Sequence, residues 1–365
     1  MKTHLLQAEE KRLKDLVRKQ QPLEGFFLTT KEGLIFDTKG VVQPPDRVIA
    51  YLRYIPAALF KGRASKEQRR GYFKVYLLED RAKELKARFP WYLYSSKCLD
   101  ATIQTVPHER LLQIHDPTKK FQTLVQRGSS ELDVLSKCCL ELGLAICSGA
   151  KISLASLGVS GSILVDLHTS SSDIDLVVYG RDEGGKVYDL MTQLRAQTAM
   201  IEELTFYREP ELRTLYQFRS LSTPISFEDF VRVEHKKVLQ GRYKGYDFYI
   251  RLVYKVEEIE ERFGDRCYQD CGDVELNARI AEDTERFFTP CRYGIEDVVI
   301  LPTPGQRLKI EEIVSFRGRF CEAARVGDHV RVLGKLEQVN DRKTGRQWYR
   351  VLLGRDQKDF MVIGK

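Results

Sequence analysis

The sequence predicts a multidomain α+β or α/β protein with a central mixed sheet and flanking helices, an N-terminal α+β region and a small C-terminal β-barrel. Three observations support this prediction. The chain has 365 residues, which is long enough for two or three domains with sizeable cores. Helical and strand patterns alternate in its middle third, as is typical of a sheet covered by helices. Short strand-like runs separated by Gly, Pro, Asp and Asn follow from about residue 277.

The N-terminal part divides into two predicted units. Residues 1–21 form a charged segment with a sparse apolar stripe, which predicts a helix and lacks the apolar core of a signal peptide. Residues 22–128 form the N-terminal α+β region. We expect a hairpin over residues 25–36 and a helix or buried segment over residues 47–54.

A basic stretch within this region is a candidate nucleic-acid contact. Residues 61–70 contain five Lys or Arg against one Glu, and the aromatic run 72–76 follows directly. Basic side chains beside exposed aromatic rings can hold nucleic acid by phosphate contact and base stacking. A solvated loop is the alternative explanation.

Residues 129–276 form the predicted central domain. It begins with a capped helix over about residues 129–146. A strand, a turn at Gly161 and Ser162, and an apolar strand that starts at Asp173 come next. The remaining elements predicted here are helices over residues 187–194 and 211–218 and a strand over residues 246–253.

Two carboxylates share one face of the strand that starts at Asp173. Residues 173–179 are Asp-Ile-Asp-Leu-Val-Val-Tyr, which are β-branched and apolar enough for a buried strand. Because strand side chains alternate, Asp173 and Asp175 point to one side while Ile174 and Leu176 point into a core. Neighbouring anions repel unless a cation or hydrogen-bond donors compensate them. Carboxylate oxygens at this spacing suit Mg²⁺ that is held partly by substrate phosphates.

The turn upstream of this strand suits a phosphate group. Gly161 lacks a Cβ, so a phosphate can approach its backbone, and Ser162 adds a hydroxyl beside exposed amides. The order of these motifs resembles the DNA polymerase β-like nucleotidyltransferase superfamily. Its pattern is a hydrophobic residue, Gly, Gly or Ser, about ten residues, and Asp-hydrophobic-Asp/Glu-hydrophobic. Gly161, Ser162, Asp173 and Asp175 match it, whereas Ser160 stands where an apolar residue is usual.

The resemblance covers about residues 129–255 and implies a nucleotidyltransferase-type core with a third carboxylate on a later strand. Asp247 is the preferred candidate, since it lies in a long strand pattern, and Glu234 is the alternative. Arg251 lies on the same alternating face as Asp247 and could pair with a carboxylate instead. Residues 40–56 and 315–320 further look like an archaeal group of predicted nucleotidyltransferases without an assigned substrate.

The resemblance implies an enzyme that transfers a nucleoside monophosphate from a nucleoside triphosphate to a hydroxyl acceptor, with RNA as a candidate acceptor, and releases pyrophosphate. Asp173, Asp175 and Asp247 would be catalytic and hold two Mg²⁺ or Mn²⁺ ions, and Gly161 and Ser162 would hold the β and γ phosphates. Two alternatives stay open: a catalytically silent nucleic-acid-binding protein, and an antitoxin-like or protein-modifying nucleotidyltransferase. Candidate side chains for steering the phosphates are Arg232, Lys236, Lys237 and Arg242.

Residues 277–365 form the predicted C-terminal β-rich domain, a small barrel of OB-like type. Thirteen Lys or Arg against seven Asp or Glu between residues 307 and 358 make a nucleic-acid role reasonable, and an interdomain scaffold is the alternative. The formal net charge of the whole chain, +7, also permits attraction to a polyanion.

Composition bounds the compartment and the cysteine chemistry. No run of about eighteen apolar residues occurs, so we expect no membrane span. Eight cysteines without an export signal predict reduced thiols in a cytoplasm. Cys267, Cys271 and Cys291 are candidates for a zinc site or a disulfide, although the main expectation is a structural role.

Overall fold

The computed structural model describes residues 21–59, 68–75, 78–219, 225–301, 308–355 and 357–364. Within these ranges the chain is a mixed α+β protein with several sheets, one of which closes into a barrel. The helix predicted for residues 1–21 and the basic stretch at residues 61–70 fall almost entirely outside the described residues. In the part described, no helix is long and apolar enough to cross a membrane.

The N-terminal domain is built on an antiparallel sheet, eight-stranded as far as the described residues go. Its strands are β1 (Phe27–Thr30), β2 (Ile35–Thr38), β3 (Arg47–Pro56), β4 (Gln68–Arg69), β5 (Tyr72–Lys74), β6 (Leu93–Ser96), β7 (Ala101–Pro107) and β8 (Leu111–His115), with helix α1 (Leu78–Arg88) between β5 and β6. The order β4-β5-β3-β2-β1-β8 forms one path, and β7 pairs with both β3 and β6.

Two expectations for this domain have different outcomes. The predicted hairpin is confirmed, because Phe27 pairs with Asp37 across β1 and β2. The helix expected as one possibility for residues 47–54 was wrong, since this segment is strand β3. Alternate side chains of β3, including Val48 and Leu52, are buried in the domain core while their neighbours are half-buried. This two-residue period is that of a strand.

The central domain contains a five-stranded mixed sheet within the described ranges. Its strands are β9 (Leu157–Val159), β10 (Ile174–Tyr179), β11 (Leu204–Thr205), β12 (Gln240–Tyr243) and β13 (Tyr246–Val253), and its helices are α2 (Pro117–Arg127), α3 (Val134–Ala150), α4 (Gly161–Leu164), α5 (Arg181–Arg195), α6 (Glu209–Arg219) and α7 (Phe227–Glu234). The strand order is β11-β12-β13-β10-β9. Strands β10 and β13 run parallel, and the other neighbours run antiparallel.

The start predicted for this domain, residue 129, is too late. Phe121 and Leu124 on α2 are buried in the same hydrophobic cluster as Leu176 of β10. The domain therefore begins near Asp116, whose side chain caps α2. The sequence did not reveal this boundary because a short amphipathic helix fits either neighbouring core.

The C-terminal domain is a closed barrel of five strands with one further edge strand, counted over the described residues. Its strands are β14 (Arg266–Glu282), β15 (Cys291–Leu301), β16 (Ile310–Ser315), β17 (His329–Asp341), β18 (Gln347–Leu353) and β19 (Phe360–Ile363). The order β14-β15-β16-β18-β17 closes because β17 also pairs with β14, and β19 adds to β17. Strands β16 and β18 run parallel, whereas the other pairs are antiparallel.

The predicted barrel is confirmed, but its predicted start at residue 277 lies inside β14. The barrel begins at Arg266, the first residue of β14. The first half of β14 is mostly exposed, and its sequence is correspondingly polar. It is a strand because it pairs with β17, from Arg266 opposite Asp341 onwards. That pairing is long-range and leaves no local hydrophobic pattern.

The N-terminal domain and the barrel both cover one face of the central sheet. Val177 of β10 packs with Leu23 and Phe26, which precede or begin the N-terminal hairpin. Tyr249 of β13 lies against Gly318, in the turn after β16. The face of β10 and β13 opposite the main core is therefore covered by residues of these two domains.

Candidate functional site

Asp173 and Asp175 lie where β10 begins, on the covered face. Asp173 immediately precedes the strand and is exposed, whereas Asp175 is half-buried. Ile174 and Leu176 are buried in the core, so the two carboxylates share the opposite face as predicted. Burial, and then the charge of Asp173, raise the pKa of Asp175 to about 7. A proton or a cation at Asp175 relieves the repulsion between the two carboxylates.

Gly161 packs directly against Asp175. Its φ of +61° lies in the left-handed region that favours glycine. A Cβ at this position would overlap the Asp175 carboxylate and lie 2.9 Å from its Cγ. The backbone amide of Ser160 also donates a hydrogen bond to the Asp175 carbonyl oxygen at 2.8 Å. The turn and the acidic strand, which are separated in sequence, are thus in contact.

The two serines of the turn have different surroundings. Ser160 Oγ donates to the Gly25 carbonyl oxygen at 2.7 Å, which ties the turn to the N-terminal domain. This bond accounts for a polar residue at position 160. Ser162 is buried, and its hydroxyl forms no hydrogen bond within the described residues. A buried hydroxyl without a partner costs about 1–3 kcal/mol, which a ligand atom would recover.

Asp247 is the second residue of β13 and lies on the same face as Asp173 and Asp175. Ile174 pairs with Phe248 in the parallel register. The residues that precede this pair, Asp173 and Asp247, are therefore neighbours on strands about 4.8 Å apart. Phe248 is buried in the core, so Asp247 points to the opposite side.

The carboxylate of Asp247 is held by two neighbours that the sequence did not reveal. It is exposed, lies near the Tyr207 hydroxyl, and has Arg242 Nε 3.6 Å from Oδ1. Burial, and then the charge of Asp247, raise the pKa of Tyr207, with a smaller contribution from Asp173. Among the residues described, no three His, Cys, Asp or Glu side chains converge tightly enough to hold a metal ion. A metal site shared by Asp173, Asp175 and Asp247 would require the Asp247 carboxylate to move closer to the other two.

Glu234, the alternative third carboxylate, belongs to a different environment. It is the last residue of α7, not part of a strand, and its side chain is buried. It accepts from Lys237 Nζ at 2.6 Å, Arg219 Nη1 at 2.9 Å and Gln240 Nε2 at 2.6 Å. Although burial opposes it, Lys237 and Arg219 lower the pKa of Glu234. With three donors around it, Glu234 is a structural carboxylate, and it cannot replace Asp247.

Arg251 shares the face of the acids, but its main partner is Glu24. The two side chains form an ion pair, and Glu24 is fully buried. Glu24 also accepts from the Gly40 amide at 2.7 Å and from Lys39 Nζ at 3.1 Å. Arg251 therefore anchors the N-terminal domain on the sheet and acts on Asp175 as a secondary charge that lowers its pKa.

Four basic side chains from two domains lie close to Asp175 or to one another, and we call Arg53, Lys74, Arg81 and Arg317 the basic cluster. Arg53 of β3 and Lys74 of β5 lie close enough to Asp175 for their charges to lower its pKa. Burial, and then the charges of Arg53 and Arg317, lower the pKa of Arg81 to about 9. Burial also lowers the pKa of Arg317, and Arg53 adds to this effect. A bound anion would stabilise the charged forms of these side chains.

The four basic residues that the sequence offered for phosphate steering mostly have other contacts. Arg232 Nη1 donates to Asp229 Oδ1 at 3.2 Å, and the buried Lys237 forms an ion pair with Glu234. Lys236 is exposed, and Arg242 lies beside Asp247. The basic cluster was not predicted, because its members come from β3, β5, α1 and the turn after β16, and no local pattern links them.

The three cysteines singled out by sequence do not form one site. Cys267 Sγ lies 3.0 Å from Cys98 Sγ of the N-terminal domain. Cys291 is buried beside Cys321 within the barrel. Cys271 is exposed, and its thiol donates to the Gln269 carbonyl oxygen at 3.6 Å. The zinc hypothesis for the three residues was therefore wrong, and so was a disulfide among them.

Comparison with known proteins finds a relative without an assigned activity. The chain is 27% identical to an uncharacterized protein of Methanocaldococcus jannaschii over 339 residues, which are 92% of this chain and 96% of the relative. No family model matches the chain, and no solved structure matches it.

Proposed function

We propose that this protein is a metal-dependent nucleotidyltransferase. It transfers a nucleoside monophosphate from a nucleoside triphosphate to a hydroxyl acceptor and releases pyrophosphate. The observation that carries this proposal is the shared face of two adjacent parallel strands, with Asp173 and Asp175 at the start of β10 and Asp247 at the start of β13. Gly161 packs against Asp175 on this same face. The backbones of these three residues are about 5–7 Å apart along and between the strands, a spacing from which their carboxylates would reach two shared cations.

The chemistry of these residues fits two Mg²⁺ or Mn²⁺ ions. Asp173 and Asp175 present hard oxygen ligands, and burial together with the charge of Asp173 raises the pKa of Asp175, which a bound cation would lower. Asp247 completes the set by exchanging its contact with Tyr207 for the shared site. When bound, the ions would lower the pKa of an acceptor hydroxyl and neutralise charge on the triphosphate.

The surroundings of the acids fit a triphosphate. The Ser162 hydroxyl is buried beside the turn and can donate to a phosphate oxygen. Arg53 and Lys74 carry positive charge close enough to Asp175 to lower its pKa, and these charges would help to neutralise a triphosphate. Reactions of this type depend on positioning and charge neutralisation and need little covalent participation by the protein.

For the acceptor we propose a single-stranded nucleic acid, with RNA as the first choice, bound with help from the barrel. The barrel order is first, second, third, fifth and fourth strand, with the third and fifth parallel. This order supports an OB-type barrel, a fold that commonly binds oligonucleotides. The excess of six Lys and Arg over Asp and Glu between residues 307 and 358 favours a polyanion.

The test measures cation binding and turnover on the full chain. Mn²⁺ binding is followed by the loss of the free-ion electron paramagnetic resonance signal, and turnover by transfer of label from α-labelled nucleoside triphosphates to RNA oligonucleotides. Asp173→Asn and Asp175→Asn should each lower Mn²⁺ affinity at least about tenfold and abolish turnover, because each removes a charged ligand. Asp189→Asn, on the exposed side of α5, is the matched control and should retain both. Parental turnover in both site variants refutes the proposal.

A catalytically silent nucleic-acid-binding protein is the second candidate. The observation that favours it is the contact of Asp247 with Tyr207 and Arg242, which keeps the third carboxylate engaged. This candidate predicts binding of single-stranded nucleic acid without Mn²⁺ binding at Asp173 and Asp175. Label transfer to a protein hydroxyl in place of RNA would instead favour a protein-modifying enzyme.

A further inference from the structure

Two thiols from different domains are in contact. Cys98 follows β6 of the N-terminal sheet, and Cys267 is the second residue of β14 in the barrel. The Cys267 thiol donates to Cys98 Sγ at 3.0 Å, and the Cys98 thiol donates to the Arg266 carbonyl oxygen at 3.0 Å. Both residues are half-buried, so small reagents can reach them.

Backbone contacts on either side of the two thiols hold them in place. The Tyr268 amide donates to the Cys98 carbonyl oxygen at 2.7 Å, and the Asp270 amide donates to Asp100 Oδ2 at 3.0 Å. These contacts lie along the first half of β14, whose other edge pairs with β17. Strand β15 joins β14 only from Glu275 onwards within the described residues. The turn that contains Cys98 thus covers the edge of β14 that β15 leaves unpaired. To form a disulfide bond, the two sulfur atoms would have to approach each other by about 1 Å.

The remaining cysteines are less suited to exchange with solvent reagents. Cys291 and Cys321 also form a thiol contact, but both are buried inside the barrel. Cys271 is exposed and lies four residues from Cys267, so its thiol would react with the same reagents and must be removed for a clear thiol count. The three cysteines of α3, namely Cys138, Cys139 and Cys147, are buried in the central core.

We propose that Cys98 and Cys267 form a reversible disulfide, made by exchange with a low-molecular-weight disulfide, which covalently joins the N-terminal domain to the barrel. The Cys267 thiol loses its proton, and its sulfur attacks one sulfur of the small disulfide. The first small thiolate leaves and takes up a proton. The Cys98 thiol then loses its proton and its sulfur attacks the Cys267 sulfur, which releases the second small thiolate. Two protein thiols are oxidised, and one small disulfide is reduced to two thiols.

The order of the two attacks follows from the surroundings of Cys98. Burial, and then its hydrogen bond with Cys267, raise the pKa of Cys98 to about 12, so this thiol stays protonated while Cys267 reacts.

The disulfide bridge would also restrain the basic cluster. Arg53 and Arg317 of the basic cluster belong to the two domains that it joins, so their relative position is restrained in the oxidised protein.

The experiment uses the full chain with Cys271→Ser as the parent, which removes the exposed thiol and leaves seven of the eight cysteines. The protein is incubated with oxidised glutathione, and thiols are counted after denaturation. The parent should fall from seven thiols to five, with Cys98 and Cys267 linked in peptide maps. Added Cys98→Ser should stop at a glutathione mixed disulfide on Cys267, and added Cys267→Ser should keep all its thiols. The oxidised parent should melt about 5 °C above the reduced protein, since the bridge closes a loop of 169 residues.

Three results would overturn the proposal. The parent could retain seven thiols at every ratio of oxidised to reduced glutathione. The peptide maps could place the bridge between Cys291 and Cys321. The Cys267→Ser variant could lose two thiols as the parent does, which would show that Cys267 is not required.

Discussion

Replacing Gly161 with alanine tests the contact on which the site depends. The new Cβ would overlap a carboxylate oxygen of Asp175 and lie 2.9 Å from its Cγ and 3.1 Å from its Cβ. The carboxylate must move away from the turn by about 1 Å to restore an ordinary contact. We therefore expect both a loss of stability and a displaced metal ligand.

Two contributions set the magnitude of this change. A residue other than glycine at φ of +61° costs about 1 kcal/mol, since its Cβ crowds the following carbonyl oxygen. Displacement of the half-buried Asp175 side chain adds about 1 kcal/mol to the destabilisation if the carboxylate reaches solvent, and more if it stays buried. The expected destabilisation is thus about 1–2 kcal/mol. Mn²⁺ affinity should fall about tenfold or more, as for variants that shift a metal ligand.

Urea unfolding and Mn²⁺ titration measure the two effects separately. Gly185→Ala is the matched control, because it adds a methyl group to α5 where nothing lies within 4 Å of the new Cβ. That change should stabilise the protein by about 0.5–1 kcal/mol, since alanine favours a helix more than glycine does. If Gly161→Ala unfolds at or above the parental urea concentration, the packing argument is wrong. If its stability falls while Mn²⁺ affinity is unchanged, Asp175 is not a ligand.

Two further predictions concern pH and salt. Burial, and then the charge of Lys120, lower the pKa of His115 to about 4. Because the unfolded chain then binds a proton at a higher pH than the folded protein, the free energy of unfolding should fall by about 3 kcal/mol as the pH drops from 6.5 towards 4. Above pH 6.5 His115 is neutral in both states, and this contribution to stability is fully present. Urea unfolding of His115→Gln should be less dependent on pH over this window, and an unchanged profile would contradict the assignment. Binding of single-stranded RNA should weaken with salt, with a log–log slope of about −0.7 per phosphate contact. A triple variant with alanine at Arg63, Arg69 and Arg70 should show a shallower slope. The control Arg213→Ala on α6 should keep the parental slope. Equal slopes in the parent and both variants would exclude the basic stretch as a contact.

Local periodicity accounts for the elements that were predicted well. Residues 246–253 were predicted as a strand and form β13, and the acidic run forms β10 with Asp173 just before it. In both strands, apolar side chains at every second position face one core, so the pattern is contained in eight residues or fewer. The shared side of Asp173 and Asp175 follows from the same rule and needs no knowledge of neighbouring elements.

Elements whose structure depends on distant partners were mispredicted or missed. Strand β3 contains a run of large side chains that suits a helix or a strand, and its pairing with β2 and β7 decides between them. The polar first half of β14 is a strand because β17 lies beside it. In both cases the interactions that select the conformation come from residues far along the chain.

The sequence by itself determined the alternation of helices and strands and the shared face of Asp173 and Asp175. Only the tertiary structure decided that Asp247 is their neighbour while Glu234 is neutralised by Lys237 elsewhere. It also decided which basic side chains approach Asp175 and which thiol meets Cys267. The physical reason is range: backbone preferences and side-chain alternation act within a few residues, whereas burial, charge and register are set by parts of the chain that meet only after folding.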